Sequence, residues 1–218
     1  MLSIAESALG EVCLEGAQWR RAFLLFESSR RHCEEIGAPT DFEQVHAARA
    51  LIGFDPAAAE ARLRARVQAP GAMRETDGDS LLTVQELARS LIEQHRFEEA
   101  RATLESSIAG DAWPGAPYFE RLRGVALAAR AGAATALVRE AFDELERSPA
   151  EAKAVRYIPL GFWSRLDRWW IHLALGDLAG VRADLEALAE EARAKGLVAV
   201  AEQASELANG GGVPAARP

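Results

Sequence analysis

Catalysis in this chain would have to come from a small set of side chains. The four histidines, His32, His46, His95 and His172, are scattered, and no Ser-His-Asp, Cys-His or metal-ligand spacing joins them. His95 falls in a turn, where a solvated ring is expected. GDL at Gly176 and GGG at Gly210 to Gly212 lack both a lysine and a preceding strand, so neither reads as a phosphate-cradling loop. Cys13 and Cys33 are too few for a disulfide framework and read as reduced thiols, one in a helix interior and one at a helix end. Nothing nominates a perturbed acid or nucleophile, so the expectation is a protein that is not an enzyme and needs no cofactor or metal. Recognition is the other chemistry side chains can perform. Phe162, Trp163, Trp169 and Trp170 form the most aromatic stretch, and aromatic residues dominate binding hot spots. Trp169 and Trp170 are expected to fill a helix interface, which leaves Trp163 as the exposed anchor.

Bulk properties narrow the partner. A net charge of -8 over 218 residues argues against nucleic acid, where phosphates must be neutralised by a basic face, and leaves basic proteins or peptides open as partners. Hydrophobic residues at 49% and charged ones at 27% are those of an ordinary folded domain. The start, MLSIAESALGE, has no basic stretch followed by an apolar run, and no window approaches the roughly 18 apolar residues that span a bilayer. The expectation is a cytoplasmic protein that engages neither membrane nor nucleic acid. Lysine occurs only at Lys153 and Lys195, a bias that follows from a GC-rich coding sequence, so arginine content alone carries no recognition chemistry.

The elements that must position any binding residues are helical hairpins. From Leu81 to Ile108 the apolar and small residues sit at Val84, Leu87, Ala88 and Leu91, then at Phe97, Ala100, Leu104 and Ser107, with a turn at His95 and Arg96. Each arm therefore has one stripe to bury. The same spacing anchored on Trp19 gives Leu9, Gly10 and Cys13, then Ala22, Phe26 and Ser29, with only Glu6 at a place that should be apolar. Gly10 and Ala22 would let two backbones approach while Trp19 and Phe26 fill the space beside them. That hairpin ends near Ile36 and Gly37 with Pro39 beyond.

Weaker copies follow. Residues 40 to 67 offer Thr40 or Asp41 as a cap, Gly53 and Phe54 as a turn and Pro56 as a helix start, with Ala57 and Ala61 in place and the first arm unregistered. A hairpin from about Tyr118 to Leu145 turns near Gly132, with Leu122, Val125 and Ala129 facing Leu137, Ala141 and Leu145. The last, anchored on Leu178, pairs Leu166, Trp169, Trp170 and Leu173 with Val181, Leu185 and Leu188. Leu197, Ala201, Ala204 and Leu207 then mark a single amphipathic helix that can cover the apolar end of a stack. Between hairpins, 69 to 80, 110 to 117 and 148 to 161 read as loops, the first a connector or a functional loop. The expected organisation is one helical domain over 1 to 208 and a disordered tail over 209 to 218.

The pattern at Leu9, Gly10, Cys13, Trp19, Ala22, Phe26 and Ser29, with its parallel at Leu87, Ala88, Leu91, Phe97, Ala100, Leu104 and Ser107, resembles the tetratricopeptide repeat. The match is good over 5 to 30 and 82 to 108, fair over 162 to 190 and weak at 41 to 67 and 118 to 146. The family's closing proline is in place only at Pro149, and Pro70 misses by one. The resemblance implies an all-α fold, a right-handed α-solenoid of about five hairpins plus a C-terminal capping helix. It also implies a concave groove lined by first arms, holding a peptide or protein at Ser7, Glu11, Leu14 and Glu15 and at Gln85, Arg89, Ile92 and Glu93. Glu11, Glu15 and Glu93 would make the groove acidic, with Arg49, Arg89 and Arg130 as counter-charges fixing register. The lysine, arginine and asparagine set with which some members clamp a C-terminal carboxylate is not supplied by these hairpins.

These readings converge on a cytoplasmic, bacterial-type adaptor that binds a protein or peptide, basic partners included. The alternatives are an acidic immunity or inhibitor protein masking a basic toxin or enzyme, and a sensor segment of a larger regulator. An inhibitor should hold one partner at about nanomolar strength, whereas an adaptor groove tolerates about micromolar binding of short segments.

Overall fold

The computed structural model describes residues 2–69, 78–108, 118–147, 158–177 and 180–210, and of these every side chain except those at 78, 79 and 105–108. The central parts of all three expected loops, the anchor Leu178, Pro70, Pro149, the side chain of Ser107 and most of the expected tail lie outside the described residues.

The described residues form helices and no strand. In order these are α1 (Leu2–Glu15), α2 (Trp19–Glu35), α3 (Asp41–Ile52), α4 (Pro56–Gln68), α5 (Gly78–Glu93), α6 (Phe97–Ile108), α7 (Tyr118–Arg130), α8 (Thr135–Glu146), α9 (Ile158–Ala174), α10 (Val181–Ala194) and α11 (Val198–Ala208). Among them none is long and apolar enough to cross a membrane. The chain divides into two compact units, Met1–His95 and Arg96–Pro218.

In the first unit, α1 packs on α2, α2 on α3, α3 on α4 and α5, and α4 on α5. The local causes are legible one by one. Helix α2 ends at Ile36, where Gly37 takes a left-handed φ of 67° and Ala38 N–H donates to the Cys33 carbonyl at 2.8 Å. Helix α4 starts on Pro56, and the Asp55 carboxylate accepts from Ala58 N–H at 3.0 Å. Phe26, Ala22, Cys13 and Leu14 form one core with Ala47 and Ala50 of α3. The Phe26 ring lies on Gly10, where a Cβ would stand 2.8 Å from its Cζ. The close approach expected of Gly10 is therefore present.

Some faces differ from expectation. On α1, Leu9 is exposed and Ser7 is buried, because Ser7 Oγ donates to the Glu43 carboxylate at 3.1 Å and lies 2.9 Å from Ser29 Oγ. Polar partners from α2 and α3 decide which side of α1 goes inward. On α4, Ala57 and Ala61 are exposed, and Ala59 and Leu63 are buried instead. Glu6, the misfit of the first hairpin, accepts from Ser28 Oγ at 2.8 Å and meets His32 Nδ1 at 2.7 Å. On α5, Leu87, Ala88 and Leu91 are buried as expected, and Val84 is half-buried.

The second unit begins just after His95, whose left-handed φ of 59° makes the turn expected there. Ala100 and Leu104 of α6 are buried, and Phe97 is half-buried. Helix α7 packs on α6, α8 and α9; α9 packs on α8, α10 and α11; and α10 packs on α11. One core joins Leu122, Val125, Leu166, Trp170, Leu185 and Leu188 with Val200 and Leu207 of α11. On α8 the buried residues are Val138, Phe142 and Leu145, while Leu137 is exposed, a slip of one residue from the expected Leu137 and Ala141. Leu197, Ala201, Ala204 and Leu207 all face inward.

Candidate functional site

Helices α1, α3 and α5 of the first unit carry a connected set of charges. Glu11 and Glu15 sit one turn apart on α1, both half-buried. Burial raises the Glu11 carboxyl above its ordinary value; the Arg49 guanidinium of α3 opposes this and Glu15 adds to it. Arg49 Nε in turn lies 3.7 Å from the fully buried Glu86 carboxylate of α5. The other oxygen of Glu86 faces Arg89 Nη1 at 3.5 Å. The order Glu11, Arg49, Glu86, Arg89 thus alternates in sign across three helices.

The expected groove residues fall into distinct environments. Glu11, Glu15, Arg49 and Glu93 keep solvent access, with Glu93 the most open. Leu14, Gln85 and Ile92 are buried at 3%, 0% and 6% exposure, and Arg89 at 7%. Such side chains present almost nothing to a visiting chain and hold the helices that carry the accessible charges. Ser7, also placed at the groove, is buried in its hydroxyl network with Ser29 and Glu43.

Arg130 and Trp163 belong to the second unit. The Arg130 guanidinium stands over the Trp170 ring, 4.7 Å from its centroid. Trp163 is half-buried and packs beside the core, as does Trp169. His172 lies edge-on to Phe142 and tilted against Trp169, at centroid separations of 5.4 and 5.5 Å. This aromatic group is a packing assembly with two partly open indoles, Trp163 and Trp169.

Two carboxylates matter here that spacing did not single out. Glu86 is the hinge of the charge string, and its one legible sign is the three-residue step to Arg89 on a shared helix face. Glu43 accepts from two serines of other helices, an arrangement no local pattern announces. Among the described residues no group of three or more His, Cys, Asp or Glu could hold a metal ion. Cys13 and Cys33 are free and buried. No protein-family model matches the chain, and neither a curated protein nor a solved structure matches it.

Proposed function

We propose that this chain is a non-catalytic binding module, a tetratricopeptide-like right-handed solenoid whose first arms present an acidic groove to a basic protein or peptide. The observation that carries the reading is the half-buried pair Glu11 and Glu15, with the Arg49, Glu86 and Arg89 string behind it. A carboxyl raised by burial is short of positive charge. A lysine or arginine of a partner placed beside Glu11 supplies it and gains a poorly screened ion pair. The internal alternation does a second job, since Arg49, which keeps solvent access, repels a cation that arrives out of register. The net charge of -8 steers basic partners toward the surface.

The test starts from partners captured from the native cell, refined to short basic segments whose affinity is measured by fluorescence polarisation. Reversing Glu11 and Glu15 together to lysine should weaken binding by about tenfold or more, with the helical circular dichroism retained, because neither side chain belongs to the apolar core. Unchanged affinity in a folded variant removes this face from the binding account. A single partner held at about nanomolar strength would instead favour the inhibitor reading.

A further inference from the structure

Helix α1 carries a second apolar face besides the one it buries. It buries Ser7, Gly10, Cys13 and Leu14, and it turns Leu2, Ile4, Ala5, Ala8, Leu9 and Val12 to solvent. Exposure reaches 61% at Leu2, 73% at Ile4 and 66% at Val12. Four of the nine large exposed apolar side chains among the described residues fall on this one helix. Scattered apolar residues are normal on a surface, whereas a continuous helical stripe marks an interface.

We propose that this face of α1 pairs with the same face of a second copy, antiparallel, about a two-fold axis at residue 7. An isologous contact requires that if residue i meets residue j, then j meets i. A two-fold axis at residue 7 pairs Leu2 with Val12 and Ala5 with Leu9, so the bulky Leu9 settles over the small Ala5, while Ile4 and Ala8 stand at the levels of Gly10 and Glu6. Charge selects the same arrangement. Parallel pairing would stand Glu6, Glu11 and Glu15 each beside its own copy, while the antiparallel dyad sets Glu6 against Ala8 and Glu11 against Ser3. A lipid surface fits less well, because α1 has no lysine or arginine and interfacial helices carry a basic polar face. Six apolar residues along about 15 Å of helix offer roughly several hundred Å² per copy, below the about 800 Å² per partner of a standard interface, so a weak dimer is expected.

Sedimentation velocity on the full chain from about 10 to about 200 µM should show growth from 23.6 kDa to twice that mass. A chain carrying Leu9→Glu and Val12→Glu should lose self-association by about thirtyfold or more with its helical circular dichroism intact, as should one carrying Leu2→Lys and Ala5→Lys. Mixed in equal amounts, the two variants should form a one-to-one pair where each alone is monomeric, since the dyad sets the new acids against the new bases. Wild type that stays at 23.6 kDa throughout overturns the proposal, as does self-association that the charged variants leave intact. Flotation with neutral phosphatidylcholine vesicles, without self-association, assigns the face to lipid and also overturns it. Wild-type dimers whose charged variants fail to pair on mixing overturn the antiparallel dyad.

Discussion

Trp19 lies against the backbone of Gly53, so close that a Cβ there would stand 2.4 Å from ring carbons Cγ and Cδ2. Gly53 has a right-handed φ of -70°, so an alanine meets no backbone strain, and the whole conflict is with the indole. Gly53→Ala should therefore cost about 1–3 kcal/mol, the usual penalty of overpacking, read as a lower urea midpoint. Gly161→Ala is the control: nothing lies within 4 Å of its added carbon, and inside a helix the change should raise stability by about 0.5–1 kcal/mol. A second single-residue effect depends on pH. Burial acts to raise the Glu27 carboxyl, but Arg62 at 2.6 Å and Arg30 at 3.3 Å outweigh it and hold it below the ordinary carboxylate value. A group depressed in the folded state stabilises above its unfolded value, and this is lost as pH falls through the folded one. Glu27→Gln should thus be less stable than wild type at about pH 7, with the difference shrinking as pH falls through the depressed carboxyl's range, in thermal melts. The difference should stay below about 1 kcal/mol, because Arg62 is nearly half exposed.

Among the helices, α11 carries the clearest single responsibility. It covers α10 and α9 with Val200, Ala201, Ala204 and Leu207, all buried in the second unit's core beside Leu185 and Leu188. Ending the chain at Lys195 should bare those leucines, lower the melting temperature and raise binding of a hydrophobic dye. The expected loss is several kcal/mol, at about 1.5–3 kcal/mol for each large aliphatic side chain uncovered. An unchanged melt would show that α11 is not a lid on that core. Helices of this kind were legible because their apolar residues keep one stripe, as at Leu87, Ala88 and Leu91 or at Val181, Leu185 and Leu188. Periodicity does not select a face where apolar or alanine residues surround the helix. Helix α1 offers Leu2, Ile4, Leu9 and Val12 on one side and Cys13 and Leu14 on the other, and α4 has alanines at 57, 58, 59, 61 and 65. There the choice belongs to partners distant in sequence, which periodicity does not contain.

For the molecule taken together, the all-helical class and the order of the described helices were legible in the sequence, while the wiring between helices was less so. Glu11, Glu15 and Arg49 were singled out by their places on first arms, and the fold does set them within electrostatic reach. Glu86 and Glu43 escaped notice because a carboxylate inside a helical protein is placed by what other helices bring to it. The division at His95 has no mark in composition either, since its turn reads like those near Gly132 and Gly53.

The Ser7, Ser29 and Glu43 network has a consequence for how such a chain can evolve. Three side chains from α1, α2 and α3 meet in one network, with the single Ser29 hydroxyl proton shared between Glu43 and the Ser3 carbonyl. A hairpin copied, deleted or transplanted at this point would strand a carboxylate without its donors. Helices of similar outline could therefore not replace α1, α2 or α3 singly, since only these three neighbours complete the bond set.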